Sequence, residues 1–567
     1  MTSRHVLAWS GLFAIIIIAV IYLAFGFYLE DNEAIVAAIN YGVLGKLGWE
    51  QFFSDYQTPF LPILQFISRL APALPVIGFW KMLFTIAILV SLIYFIIREL
   101  ENQGALSLVS LLVCIIALVS LNIDSFFYLH CVRQSIMLSF AALLLNLQAM
   151  EQGRKSSLAA IMIFLLAVIA RMHAAAILLA LFMTFHFFRG VSVFEITKRH
   201  LSLIGIAATF ILAYQLYGIF TPNMGKYIEA NYEYAILEKQ SFYPLGNMKT
   251  ARDSMKYIAV QNFFITDSAE ITKNFLEKVV DADYSEQSVF SKDRLSYAVA
   301  ELANKFSYYK YRFLVVPVIF IMLLLSGVSF KRIRDTLLIA LLATALLFAM
   351  VLILVDDLKF RFFSPYIGMT LFMLFSINFP AFVRRHGNLG SWLIAAALIV
   401  FMIVNGVPLR ELSRQMEQRE NDLKIAAGKL HAYTETHPVL TFMGADIPFI
   451  SHPFYRTPAT HYRNLASFDG GYLIYFSYLK SRFENLFGCS PVDYRALIDL
   501  FEQNKELRFY SIPERLVLVA DYFRVVYDTQ LEFTLVDPQP DLSLNGKVYA
   551  VTVKRLTSLQ TNEQRLP

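Results

Sequence analysis

Val6-Leu7-Ala8-Trp9-Ser10-Gly11-Leu12-Phe13-Ala14-Ile15-Ile16-Ile17-Ile18-Ala19-Val20-Ile21-Tyr22-Leu23-Ala24-Phe25-Gly26-Phe27-Tyr28 contains no charged side chain. At 1.5 Å per residue, about 20 such residues cross the ~30 Å hydrocarbon core of a bilayer. The run is longer than the roughly 7–15 apolar residues of a secretory signal, and no small-x-small cleavage site follows it. It reads as a retained membrane span. Composition agrees, with 57% hydrophobic and 16% charged residues in a chain of 567, where a soluble domain carries about 25% charge. Fifty Phe and 30 Tyr suit a lipid-facing protein with aromatic belts at the interfaces.

Working outward, further apolar runs lie near 76–97, 106–123, 131–149, 157–170, 172–188, 201–220, 312–330, 335–355, 365–383 and 390–407. With the first, they make about eleven spans. Arg171 and His173 interrupt one continuous apolar run, so 157–170 and 172–188 read as two short helices meeting at one face. The fold class expected is mainly α, a polytopic helical bundle over 1–407, with a small α/β domain over 408–567. Lys and Arg orient the helices, being enriched in cytoplasmic loops. With Arg4 in the cytoplasm, Arg98, Arg154, Lys155, Arg189, Lys198, Arg199, Lys331, Arg332, Arg334, Arg384 and Arg385 all fall on that side. The 122–130 connection on the opposite side has no Lys or Arg. The localisation expected is a cell (inner) membrane, N-terminus cytoplasmic and C-terminal domain extracytoplasmic.

Three longer segments then lie outside. Residues 29–75 read as amphipathic helices on the membrane surface, with the clearest periodicity over Phe60–Leu70. Residues 221–311 are polar and Tyr-rich, with helical patterns at Ser268–Val280 and Lys292–Lys305. The third begins near Pro408 and opens with a charged helix from Glu411 to about Thr434. In it, Val439–Met443, Leu531–Val536 and Lys547–Lys554 read as strands and Asp493–Gln503 as a helix, with a turn at Asn545-Gly546.

The net charge of +5 calls for no nucleic-acid partner. Cys114, Cys131 and Cys489 are too few for a disulfide framework or a zinc site. No phosphate-cradling glycine loop and no His/Cys metal spacing is present, which speaks against a cytoplasmic nucleotide-sugar enzyme. The chemistry-bearing residues are charges at span ends, where each costs roughly 2.5–3.5 kcal/mol at membrane depth. Glu30-Asp31-Asn32-Glu33 follows the first span directly. A carboxylate fixed there suits a general base on an acceptor hydroxyl.

Asp31-Asn32-Glu33-Ala34-Ile35-Val36-Ala37-Ala38, followed by Tyr56-Gln57-Thr58-Pro59-Phe60-Leu61-Pro62, resembles the acidic and Tyr/Pro motifs of the GT-C superfamily of polyprenyl-linked glycosyltransferases. That superfamily includes the protein mannosyltransferases and the aminoarabinose transferases of lipid A. Asn32 separates the two acids, and only Pro59 occupies the usual proline pair. The resemblance covers roughly residues 1–400 and implies Asp31 or Glu33 as the base. Lys359-Phe360-Arg361-Phe362-Phe363-Ser364-Pro365 is similar to the family's Arg-Tyr-x-x-Pro signature, with Phe362 in the tyrosine's place. It implies that Arg361 and Lys359 hold the donor phosphate; both residues equally suit anchoring at headgroup level. Arg133 and Arg171 stand at outer span ends, where positive charge runs against the orientation rule. His173 and His130 accompany them. Asp124 resembles a second acidic site of some GT-C enzymes, orienting the acceptor or holding a divalent ion; no other cofactor is implied.

The expected function is transfer of a sugar from a polyprenyl-phosphate donor to a glycan, lipid or protein acceptor, with inversion. Two alternatives stay open. Arg133-Gln134 resembles an Arg-Gln motif of an O-antigen or exopolysaccharide polymerase family, and a non-catalytic lipid or glycan transporter would need none of the acids.

Overall fold

The computed structural model describes residues 2–30, 37, 61–152, 157–221, 250–262, 267, 269–272, 274–275, 292–308, 310–327, 330–354, 360–443, 447, 452–454, 462, 464–469, 477–536 and 546–556. Most of the 29–75 stretch and of the helical pattern expected at 268–280 lies outside these residues.

The chain is mainly helical. The membrane-domain helices are α1 (Ser3–Phe25), α2 (Leu61–Leu70), α3 (Val76–Asn102), α4 (Leu108–Phe127), α5 (Cys131–Glu151), α6 (Leu158–Phe188) and α7 (Val193–Phe220). Then come α8 (Ala251–Gln261), α9 (Lys292–Tyr308), a 3-10 turn (Lys310–Leu314), α10 (Val315–Leu325), α11 (Phe330–Leu354) and α12 (Phe360–Thr436). Among the described residues, 8 helices are long and apolar enough to cross a membrane: α1, α3 to α7, α11 and α12. In α1 only the stripe Val6, Ser10, Ala14, Ile17 and Ile21 is buried, while Leu7, Leu12, Ile15 and Leu23 are exposed. A helix apolar on every side needs apolar surroundings.

Two long helices are broken. In α6, Arg171 is extended (φ −164°, ψ 98°). Ser135 Oγ, near the start of α5, lies 2.9 Å from both the Ala167 and Arg171 carbonyl oxygens. At the other end of α5, Asn146 Nδ2 is 3.1 Å from His200 Nδ1, and the His200 ring lies 5.4 Å from that of His186 on α6. Leu158 starts α6 a few residues after α5 ends. The helix therefore runs along α5 to Arg171 and turns back. In α12 the break is Gly387, whose positive φ of 59° suits a residue without Cβ. Ser364, before it, meets Asp124 at the end of α4. After it, Ser391 meets Ser110 at 3.4 Å and Asn405 donates to the Ser120 carbonyl at 3.3 Å. The first leg is thus antiparallel to α4 and the second parallel.

The second leg of α12 continues through Pro408 to Thr436 as a charged stalk, where a separate helix from 411 was expected. Ser413 Oγ donates to the Phe25 carbonyl at the top of α1 (2.6 Å). Beyond the stalk lies a five-stranded sheet of order β4-β3-β5-β7-β6. Its strands are β3 (Val439–Met443), β4 (Leu465–Asp469), β5 (Arg508–Ser511), β6 (Thr529–Leu535) and β7 (Lys547–Arg555). β3 is parallel to both neighbours; β7 is antiparallel to β5 and β6. The helices are α13 (Ser477–Phe487), α14 (Tyr494–Gln503) and α15 (Pro513–Tyr527). Tyr494, Leu497, Ile498 and Phe501 form the buried face of α14, with Phe468 of β4 edge-on to Tyr494 and Phe501.

Among the described residues, the C-terminal domain meets the rest of the chain at Gly78–Phe79 and at Asp267. The Pro453 carbonyl sits where a Cβ on Gly78 would be, and Phe454 packs edge-on against Phe79 at 5.8 Å. Gly78→Val is therefore expected to lift this contact while leaving each domain folded. Faster proteolysis around 452–454 at unchanged helix content would show it; equal proteolysis would refute it. The second contact is Asp267, in the loop after α8. Its Oδ2 accepts the hydroxyls of Tyr522 and Tyr527 on α15 at 2.7 and 2.6 Å.

Candidate functional site

Tyr28–Leu29 (β1) pairs in parallel with Tyr128–Leu129 (β2), and the Glu30 N–H donates to the Leu129 carbonyl at 3.2 Å. This bridge ties the chain leaving α1 to the link between α4 and α5. It places the Glu30 carboxylate 3.9 Å from His130 Nε2 and 3.9 Å from Arg361 Nη1. His130 is buried and is the N-cap of α5: its Nδ1 accepts the Val132 N–H at 3.0 Å. Burial, then the charges of Arg361, Lys81, Arg133 and Arg171, hold the imidazole well below its ordinary pKa, so it is neutral at pH 7.

Asp124, in the last turn of α4, is buried. It accepts from Arg133 (Nη1 to Oδ2, 2.9 Å), from Arg312 (Nη2 to Oδ1, 2.5 Å) and from the Ser364 hydroxyl. Arg312 also donates to the Ser364 carbonyl at 2.8 Å, and the Arg133 guanidinium lies 5.4 Å over the Tyr128 ring. Three of the roughly four lone-pair positions on the Asp124 carboxylate are taken, and two guanidinium groups at contact distance repel a divalent ion. Among the described residues no group of three or more His, Cys, Asp or Glu could hold a metal. Asp124 is thus a countercharge joining α4, α5, the 3-10 turn and α12.

Four helix beginnings meet at this end, each with an arginine. Arg133 is in the first turn of α5, and Arg171 is the break residue before the second leg of α6. Arg312 is in the turn just ahead of α10, and Arg361 is the second residue of α12. A helix N-terminus behaves as about half a positive charge, so a cation there is disfavoured and an anion favoured. Lys81 of α3, 1% exposed, is a fifth cation; its carbonyl accepts from Gln134 Nε2 at 2.8 Å. Among the described residues, the carboxylates of Glu30 and Asp124 face these five.

Of the residues singled out in the sequence, Arg133, Arg171, Arg361 and Asp124 are brought to this end of the bundle. His173 is exposed and packs edge-on against Tyr214 of α7 at 6.1 Å. Asp31, Glu33 and Lys359 lie outside the described residues. Cys114, Cys131 and Cys489 are all free thiols. Glu30 was visible only as part of an acidic run, and Lys81, Arg312 and Ser364 were not singled out. A charge at the start of an apolar run, the feature that marks Arg133, also marks Arg312 and Lys81.

Inward from the arginines, α5, the second leg of α6, α11 and α12 line a small apolar cavity of about 30 Å³, among Phe140, Leu143, Phe182, Ala343, Thr370 and Met373. Phe140 is seven residues beyond Arg133, and Thr370 six beyond Ser364, or about 10 Å at 1.5 Å per residue. No family model, no curated protein and no solved structure matches this chain.

Proposed function

We propose that the chain is a membrane glycosyltransferase that moves a sugar from a polyprenyl-phosphate donor to a glycan, lipid or protein acceptor at the outer face. The observation that carries this reading is the set of arginines at four converging helix N-termini. A phosphate at such a set can accept charge-assisted hydrogen bonds from the guanidinium groups and is favoured by the helix N-termini. Counting each leg of α6 and α12 as a span, together with the bent α9–α10 pair, gives eleven. An odd number puts the two ends of the chain on opposite sides, and the Lys and Arg bias of the short loops supports a cytoplasmic N-terminus. In this reading the isoprenoid tail lies along the apolar helix faces and the sugar faces the aqueous side.

In this reading a carboxylate of the 30–33 segment takes the acceptor's proton as its oxygen attacks the anomeric carbon. The phosphate leaves without a general acid, because the arginines neutralise the developing charge. Displacement from the face opposite the phosphate inverts the anomeric centre. A second reading, carried by the Arg133-Gln134 resemblance, is a polymerase acting on diphosphate-linked oligosaccharides.

Sugar transfer by the protein in lipid nanodiscs, from polyprenyl-phosphate and polyprenyl-diphosphate donors in parallel, tests both. Turnover with the monophosphate donor, falling about 100-fold in Arg361→Ala, is the expected result. Turnover with the diphosphate donor alone, giving lengthened chains, moves the assignment to the polymerase. If neither donor is turned over, the glycosyltransferase reading is wrong.

A further inference from the structure

The opposite end of the bundle, where α5 finishes and α6 turns into α7, holds a second group of buried polar side chains. His186 stands in the last turn of α6 and His200 early in α7, on either side of the short turn that joins these helices. His186 is 4% exposed and His200 is 0% exposed. Phe182 and Phe185 each pack against the His186 ring at 5.7 Å, so its surroundings are apolar. Nε2 of both rings is buried and has no hydrogen-bond partner, and the same holds for Oδ1 of the buried Asn146 on α5. Polar atoms at such a place, shut off from water, need a partner.

The geometry of the pair suits a shared metal ion. Two imidazoles bound at about 2.0 Å through their nitrogens to one ion, at a trigonal or tetrahedral angle, have ring centroids roughly 5–6 Å apart. Those of His186 and His200 are 5.4 Å apart. Asn146 supplies the outer support that metal-bound histidines usually have. Its carboxamide lies 3.1 Å from His200 Nδ1, and either end of an amide can face the ring. With the oxygen there, it accepts Nδ1–H and leaves the lone pair on Nε2. Met150, one turn further along α5, has its Sδ 3.6 Å from Asn146 Nδ2, which brings a thioether to the histidine pair.

The ligand types decide which ion. Among the described residues no third His, Cys, Asp or Glu completes a set with these two. Hard ions such as Mg²⁺ and Ca²⁺ want oxygen ligands, and structural Zn²⁺ takes four ligands, commonly with thiolates among them. The positive charges of Arg189 and Arg199 reach His186, and each already has a carboxylate of its own, Asp335 at 3.0 Å and Glu195 at 2.7 Å. A divalent ion held by neutral ligands alone would add two uncompensated charges beside them. Monovalent copper adds one, and imidazole with thioether is a set that it accepts.

We infer that His186 Nε2 and His200 Nε2, with Met150 Sδ as third ligand, form a Cu(I) site that staples the α6–α7 hairpin to α5. The inference is independent of the glycosyltransferase reading.

The test titrates the full-length protein in nanodiscs with Cu(I), kept reduced by ascorbate, against the chelator bicinchoninate. Wild type is expected to take one copper ion per chain and to melt at a higher temperature when loaded, because the ion binds the folded form. His186→Ala and His200→Ala should each lose this binding. Asn146→Ala should weaken it by roughly 10–100-fold, the usual effect of removing an outer-shell partner. Met150→Leu, which keeps the packing volume, should weaken Cu(I) binding as well. Copper bound by wild type no more tightly than by the His186→Ala, His200→Ala double variant overturns the site. Zn²⁺ bound more tightly than Cu(I) in the same competition overturns the choice of ion. If the histidine variants do not fold, copper K-edge absorption of loaded wild type decides: imidazole nitrogens with one sulfur support the site, and their absence refutes it.

Discussion

Asp124→Ala is expected to destabilise the bundle by about 3–5 kcal/mol, the usual consequence of removing one partner from a buried ion-pair network. The size follows from what remains. Arg133 and Arg312 are both buried, each donates to this carboxylate, and the Ser364 hydroxyl loses its acceptor as well. Both guanidinium groups already sit at helix N-termini, where the dipole adds to the repulsion. Asp124→Asn keeps the shape and one acceptor oxygen but not the charge, and should fall between wild type and alanine. Adding Arg312→Met to Asp124→Ala removes one stranded cation and should restore part of the stability. Thermal unfolding in nanodiscs measures all three. An Asp124→Ala protein that melts within a degree or two of wild type would show that something other than this carboxylate balances the two arginines. Under the proposed function, a bound polyprenyl phosphate would supply the missing negative charge, so the same variant should be stabilised more by the lipid than wild type is.

The bundle was legible because a membrane span announces itself in the sequence. A continuous run of about 20 apolar residues has few other uses, and Ser3–Phe25, Val76–Asn102 and Val193–Phe220 all sit where such runs lie. Arg171 marked the break in α6 for the same reason, as a charge inside an apolar run. The unbroken passage of α12 across Pro408 was hidden. Hydropathy falls there and a proline usually ends a helix, yet α12 holds Pro365, Pro380 and Pro408 internally. In the C-terminal domain, β3, β6 and β7 carry enough β-branched and aromatic residues to be read. β5 is only 4 residues long and β4 reads Leu-Ala-Ser-Phe-Asp, which favours no period. At the site, Arg133 and Arg171 stood out because they occur where orientation wants no positive charge, and Arg361 through its resemblance to the Arg-Tyr-x-x-Pro signature. Arg312 did not, because it follows a long polar segment in which charges are ordinary. The role of Asp124 could not be read at all: its partners Arg312 and Ser364 are 188 and 240 residues away, and a lone carboxylate at a helix end looks the same whether exposed or enclosed.

Asp267→Ala should detach the loop after α8 from the C-terminal domain without unfolding either. Asp267 is fully buried, and every hydrogen bond described for it comes from a donor. The hydroxyls of Tyr522 and Tyr527 meet Oδ2, and the N–H groups of Ala269 and Glu270 meet Oδ1 at 3.2 and 3.3 Å. Burial pushes the carboxyl above its ordinary pKa while these four donors pull the other way. Alanine leaves the buried Tyr522 hydroxyl and two backbone donors without an acceptor, at roughly 1–3 kcal/mol for each donor that water cannot reach. A loss of about 3 kcal/mol from this contact corresponds to roughly a hundredfold more opening. Faster amide exchange confined to α8 and α15 would register it, with exchange in α5 unchanged. Asn keeps one acceptor oxygen, for one of the two pairs of donors, and should cost less than alanine. Adding Tyr522→Phe and Tyr527→Phe to Asp267→Ala removes the stranded hydroxyls and should recover part of the protection, since apolar groups on both sides of a contact cost less than one unsatisfied donor. Unchanged exchange in Asp267→Ala would mean that the salt bridges of the same loop, Arg252 with Glu270 at 2.6 Å and Lys256 with Asp253 at 3.2 Å, keep its fold intact and that packing alone holds it on α15.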